Sequence, residues 1–361
     1  MSQPSSVGAV ALPGRLGDPE ASLATDPRCD PRMVAALEPF GLHVRGPEPP
    51  VTRNTPREEL LAYCAEAEAG FEAVFAALFA GLAPVEGVTS DTLAVQGVDQ
   101  NRIPLYLHRP AGADGPLPCV FHIHGGGMVL LEAAGPSYVR WRDELAARGV
   151  LVAGVEFRNG AGKLGAHPFP AGLDDCVSAL RWVIDNADEI GASKVVVSGE
   201  SGGANLTLAV THRAKREGWL GDIAGVYAQC PYISNLYATK PPELVSLHEN
   251  DEYFLGCALM DALAAVYDPG GAHATDPLCW PHHATVEELS GMPPHVVSVN
   301  ELDPLRDEGL AYYRKLVQAG VPTVGRLVSG TCHAGDLLFP RAMPEVYAAS
   351  ARDVVGFVTA L

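Results

Sequence analysis

From residue 91 to the end of the chain, short apolar or β-branched runs alternate with stretches of helical periodicity. Residues 92–98 and 103–108 flank the turn-forming Asp99-Gln100-Asn101 and predict a hairpin. Further strands are predicted at 119–124, 150–157, 194–198, 226–230, 295–299 and 322–327, with helices at 138–148, 172–187, 203–217, 307–318 and 344–361. Strands that alternate with helices predict an α/β protein whose mostly parallel sheet is covered on both faces. The connection 232–294 is too long for a simple crossover, is rich in Pro and Gly, and carries one helical pattern at 253–267; it predicts an insertion over one end of the sheet.

Upstream the text differs. Leu60, Leu61, Cys64, Phe71, Phe75, Leu78 and Phe79 recur at helical spacing up to about Gly81. Thr55-Pro56-Arg57-Glu58 predicts a capping box at the start of that helix, with the Thr55 hydroxyl as cap, Pro56 at the first position and Glu58 at the third. Residues 1 to about 54 hold much Pro, Gly, Asp and Arg and one short apolar helical stretch at 33–37, which predicts an arm packed on something else. The expected organisation is an N-terminal arm and helix over 1–85 and an α/β domain over 86–361 that contains the insertion.

Charge narrows the partners. Lys and Arg total 25 against 43 Asp and Glu, a formal net charge of −18, which disfavours nucleic acid and anionic membrane surfaces. The opening residues have no basic segment followed by an apolar one, and no stretch reaches the ~18 uninterrupted apolar residues of a spanning helix. Eight cysteines stand apart without CxxC pairs or zinc spacing. The expectation is a cytoplasmic protein with reduced thiols, no metal and no cofactor, a small-molecule ligand, no nucleic-acid or membrane partner, and assembly into a homo-oligomer left open.

Two glycine-rich words carry the chemistry. The strand 194–198 runs into Gly199-Glu200-Ser201-Gly202-Gly203 and then a helix, the strand-turn-helix setting in which G-x-S-x-G lifts a serine hydroxyl above a sheet. After an earlier strand comes His124-Gly125-Gly126-Gly127-Met128, where bare glycine amides can face a developing oxyanion. Ser201 is the candidate nucleophile, and the backbone N–H groups of Gly126, Gly127 and Gly202 are the candidate oxyanion donors. A base and an orienting acid should follow in the order Ser, acid, His. His333 is the only histidine after His295 and follows the last strand. His122 and His124 are expected to orient the oxyanion loop, Glu200 to be a hydrogen-bonding neighbour, and His282 and His283 to lie on the surface of the insertion.

With these words in hand, the chain resembles the hormone-sensitive-lipase-like (bacterial family IV) carboxylesterases of the α/β-hydrolase fold. The likeness rests on HGGGM (124–128), VEFRN (155–159), HPFPAGLDDC (167–176), GESGGAN (199–205), NELDPLRDEG (300–309) and HAGD (333–336), and covers roughly residues 92–361. It implies a Ser-His-Asp carboxylesterase of short- to medium-chain esters, which could extend to a lactone or macrolide-type ester, with the N-terminal segment as part of a cap. Two departures stand out: Gly202-Gly203 occupy the place of a common Ala-Gly, and Arg158-Asn159-Gly160-Ala161-Gly162-Lys163 replaces R-L-A-P-E.

Glu301, Asp303, Asp307 and Asp336 all compete for the acid. Asp336 breaks the order and Asp307 suits a helix start, which leaves Glu301 and Asp303. Pro304 biases Asp303 toward an extended conformation just past the strand, and the family word D-P-L selects it. Met128, Tyr253 and Phe254 are expected to wall the substrate pocket with the N-terminal helix. Two other functions remain open, a catalytically weak ligand-binding receptor on this fold and an amidase.

Overall fold

The computed structural model describes residues 12–361; the first eleven residues of the expected arm lie outside the described residues. Eight strands form one sheet: β1 (Val88–Gln96), β2 (Arg102–Pro110), β3 (Leu117–Ile123), β4 (Leu151–Val155), β5 (Ala192–Glu200), β6 (Gly225–Gln229), β7 (His295–Asn300) and β8 (Thr323–Val328). Their order is β1-β2-β4-β3-β5-β6-β7-β8. The β1-β2 hairpin and the β2-β4 pair are antiparallel and every later pair is parallel. Strands β4, β6 and β7 are buried along their whole length, as expected of parallel strands covered on both sides, whereas edge strand β1 is mostly exposed.

Side-chain alternation divides the core in two. Val120, Val152, Val196, Tyr227 and Val296 pack with the helices Pro136–Ala146 and Pro344–Ala360 and with Met33 and Leu37 of the arm. Phe121, Ala153, Val197, Ala228 and Val297 face the helices Ala171–Asp185, Gly202–Glu217 and Arg306–Gln318. A strand's period of two produces both layers from one run of apolar residues. Met33 and Leu37 are fully buried, so the arm completes the core.

Several expectations need correction. The long upstream helix runs Arg57–Phe79 without a side-chain cap, because the Thr55 hydroxyl accepts instead from the Thr52 amide (3.0 Å) in the preceding turn. The insertion helix is Cys257–Tyr267 and starts four residues later than its periodicity predicts. Glu252 and Phe254 have φ values of 65° and 70°, which no helix tolerates. His282 and His283 are half-buried; His283 Nε2 meets the Ser234 carbonyl (2.9 Å), and Lys315 donates to the carbonyl of His282 (2.5 Å). The eight cysteines are unpaired and seven are buried.

The chain passes from β3 to β4 on one side of β3, then to β5 on the other. Open α/β sheets bind ligands at this reversal, beyond the carboxyl ends of the strands. The HGGG word follows β3 and Ser201 follows β5, so the reversal brings the two together.

Candidate active site

Ser201 sits at φ 57°, ψ −119°, a conformation rare for a residue with a side chain. Its N–H donates to Gln229 O (2.9 Å), and its carbonyl accepts from Asn205 N (3.1 Å) and Tyr232 N (3.2 Å), which hold the strained turn. The flanking glycines are steric necessities. A Cβ on Gly203 would lie 2.0 Å from Ile123 O, and one on Gly199 would lie 2.5 Å from Gly203 O.

The HGGG loop is held from three sides. Glu200, next to the serine, accepts from Gly125 N (2.8 Å) and contacts His122 Nε2 (3.0 Å). Buried Glu68 of the helix Arg57–Phe79 accepts from Leu131 N (2.7 Å) and Lys163 N (2.9 Å). Asn159 donates to Leu131 O (2.6 Å), and Gly160 N to Met128 O (2.9 Å), so the segment that departs from the family word still braces the loop. Burial drives His124 down to about 3, so it is neutral; it stacks on Phe157 at 4.3 Å and its Nδ1 donates to Gly125 O.

Gly126 (φ 101°) and Gly127 (φ 64°) turn their amides away from the main-chain ladder. Neither amide meets an acceptor among the described residues. A Cβ on Gly202 would lie 2.5 Å from Met128 N and 2.6 Å from Gly127 N, so the first turn of the helix after Ser201 abuts this loop. That amide is also one of the unpaired donors at a helix start.

Beyond β7 and β8 the remaining pair comes together. His333 Nδ1 donates to Asp303 Oδ2 at 2.7 Å, and Asp303 Oδ1 accepts from Leu305 N (2.9 Å). Asp303 is wholly buried. The rival carboxylates are engaged elsewhere: Glu301 with Gly330 N (2.8 Å), Asp307 with Ser246 N (2.7 Å) and Arg306, and Asp336 with Asn300 (2.9 Å) and Ser350 (2.6 Å). Asp307 stands in the first turn of its helix without capping it, since Leu305 is the residue at the cap.

The Ser201 and His333 side chains line one cavity of about 900 Å³, counting the space open to solvent at its mouth. The Ser201 hydroxyl has no hydrogen-bond partner among the described residues; nucleophile–base contacts often tighten only when substrate is bound. The walls are mainly apolar. Phe71 and Phe75 come from the long upstream helix, and Phe254, Leu255 and Leu259 from the insertion. Of the three expected pocket residues, Phe254 is there and the other two are not. Met128 is buried in the core with φ 60°, which turns its side chain away from the loop's open face, and the Tyr253 hydroxyl is tethered to Asp26 (3.0 Å).

Sequence reasoning missed Tyr138, Trp141, Leu337 and Leu338, which line the cavity from ordinary helical patterns. It also missed Cys230, whose sulfur lies within 4.8 Å of ligand-type atoms of Asp303 and His333. Burial pushes that thiol well above its ordinary range, which opposes the thiolate a metal would require.

A strained serine elbow, free loop amides and a carboxylate–imidazole pair around one cavity define the α/β-hydrolase class. A family model described as alpha/beta hydrolase fold matches residues 120–336, and the chain belongs to that family. Within it, Carboxylesterase NlhH of Mycobacterium tuberculosis is 33% identical over 272 residues, 72% of this chain and 79% of that one. The solved structure of brefeldin A esterase, titled a bacterial homologue of human hormone sensitive lipase, is 44% identical, covers 97% of this chain and 98% of its own, and superposes with a TM-score of 0.93. The reading of this sequence's words as similar to those of brefeldin A esterase agrees with that likeness. Esterase Est22 is 38% identical over 94% of this chain and 99% of its own, with a TM-score of 0.84. No helix among the described residues is long and apolar enough to cross a membrane.

Proposed function

We propose that this protein is a serine carboxylesterase that hydrolyses short- to medium-chain esters through an acyl-enzyme, with Ser201 as nucleophile, His333 as general base and acid, and Asp303 as the orienting acid. The observation that carries the reading is the buried 2.7 Å His333–Asp303 contact facing the same cavity as the Ser201 elbow. Ser201 Oγ attacks the ester carbonyl as its proton passes to His333 Nε2, while Asp303 stabilises the imidazolium. The amides of Gly126, Gly127 and Gly202 bind the oxyanion, each donor contributing ~3 kcal/mol in the transition state. His333 then protonates the leaving alcohol. A water deprotonated by the same imidazole releases the acid.

The apolar walls favour neutral esters. The cavity's size and the likeness to brefeldin A esterase support extension to a bulky lactone. The helix Arg57–Phe79 and the insertion act as a cap, since both contribute aromatic walls. Unpaired cysteines and strong negative charge suit a cytoplasmic protein that binds small molecules. A receptor role fits less well, because His333 and its carboxylate partner are both in place.

The test is a rate profile over p-nitrophenyl esters of increasing acyl length, a macrocyclic lactone and a matched anilide. Short and medium esters should turn over fastest. Faster hydrolysis of the anilide, or of emulsified long-chain triglyceride, would overturn the assignment, and binding without turnover would favour a receptor.

A further inference from the structure

The loop that carries Asp303 is gripped by side chains from a distant segment, the short helix Ser246–Glu249 and the residue that follows it. Asn250 is fully buried, and its amide nitrogen donates to both Glu301 O and Asp303 O, each at 3.1 Å. Ser246 Oγ donates to Pro304 O (2.7 Å) and accepts from Asp307 N (3.0 Å). Glu249 is paired with Arg306 (3.0 Å), which itself donates to Glu301 O (3.1 Å). The carbonyls of residues 301, 303 and 304 are therefore bonded by side chains, and Asp303 O also accepts from Arg306 N (3.1 Å) at the start of the next helix.

The grip continues into the arm. Arg28 pairs with Glu249 and with Asp26 (2.7 Å), and reaches Asn250 Oδ1 at 3.4 Å. Two residues further on, Asp30 N donates to Gly330 O (3.0 Å) in the loop that carries His333. One continuous set of bonds thus joins the arm, the insertion, the acid loop and the base loop.

We propose that Asn250 is a positioning residue for the ester hydrolysis, fixing the Asp303 carboxylate against His333, with Ser246 and Arg28 in support. This rests on the catalytic reading given above. A carboxylate that orients an imidazole must hold its place to within about half an ångström. The Asp303 side chain is set by its own backbone, and Asn250 and Ser246 hold the carbonyls of Asp303 and the residue after it. The insertion is then a structural part of the catalytic relay as well as a wall of the cavity.

The experiment is a double-mutant cycle on the full chain, with rates expressed per site titrated by a serine-directed phosphonate so that misfolded protein is not counted. Asn250→Ala should lower kcat at least tenfold with KM within twofold of the parent. In an Asp303→Asn background the same change should cost less than twofold, because the charge it positions is already gone. Ser246→Ala should follow the same pattern more weakly, and it takes the place of Asn250→Ala in the cycle if that variant yields no titratable sites. An equal cost in both backgrounds, or a fall in thermal stability with unchanged kcat per site, would overturn the proposal. If Asp303→Asn alone left kcat intact, the catalytic reading would fail instead.

Discussion

His333 Nδ1 lies 2.7 Å from Asp303 Oδ2, while Glu301, two residues earlier in the same loop, is bound to the amide of Gly330. On the proposed mechanism, the contact favours Asp303 as the acid among carboxylates that sequence spacing alone leaves in competition. Asp303→Asn should leave the fold intact and lower kcat by about 10⁴, since the imidazole loses its orienting charge. Glu301→Gln and Asp307→Asn should cost far less. Steady-state kinetics on the three variants checks this, and a larger loss at either of the latter would point to the wrong acid.

Gly202 has no room for a side chain. A methyl there would meet Gly127 and Met128 backbone at 2.5–2.6 Å, a separation real Cβ atoms do not show. Gly202→Ala should push the oxyanion loop outward and lower kcat at least tenfold, with each misplaced donor costing ~3 kcal/mol at most. An unchanged kcat would show that the loop accommodates the methyl without moving its amides.

Glu68 couples the upstream helix to that loop. Glu68→Gln would turn one of its two acceptors into a donor facing an N–H, the buried one of Leu131 or the half-buried one of Lys163, at a cost of ~1–3 kcal/mol. The melting temperature should fall by several degrees and kcat should fall with it. A stable, fully active variant would mean that the helix covers the cavity without bracing the loop.

Glu308 gives a pH signature. It is buried where Ile233 N (2.6 Å) and the Tyr237 hydroxyl (3.0 Å) donate to it and Ser234 lies in contact, yet desolvation outweighs these bonds and raises its pKa to about 8. A carboxyl with a higher pKa folded than unfolded holds its proton in the native state. Its contribution to stability is complete below the ordinary value of 4.5 and is lost as pH rises through about 8. Glu308→Gln cannot ionise, so its melting temperature relative to the parent should climb between pH 5 and pH 9. A constant difference over that range would show that Glu308 is ionised throughout.

Much of this was legible in the sequence because the relevant signals are local. Buried parallel strands write themselves as short β-branched runs, and the elbow and oxyanion loop need glycines where a Cβ would strike Ile123 O, Gly203 O or Met128 N. The misreadings came where a side chain's direction depends on distant partners. Met128 follows three glycines and reads as a pocket wall in sequence, but its positive φ turns it into the core. Tyr253 reads as a pocket aromatic until Asp26, 227 residues away, is seen to hold its hydroxyl. Thr55 has the composition of a helix cap, but the turn at Thr52 takes its oxygen. Asn250 and Glu68 carry no motif, and their importance exists only in the folded contacts they make.

The central claim is that Ser201 is the acylated residue. Incubation of the protein with a serine-directed phosphonate, followed by peptide mass spectrometry and a parallel assay of ester hydrolysis, tests it directly. The account predicts one adduct per chain, on the peptide containing Gly199-Glu200-Ser201-Gly202-Gly203, with activity lost in proportion, and neither labelling nor hydrolysis in Ser201→Ala. Labelling of another serine, or a Ser201→Ala protein that retains most of the esterase rate, would contradict it.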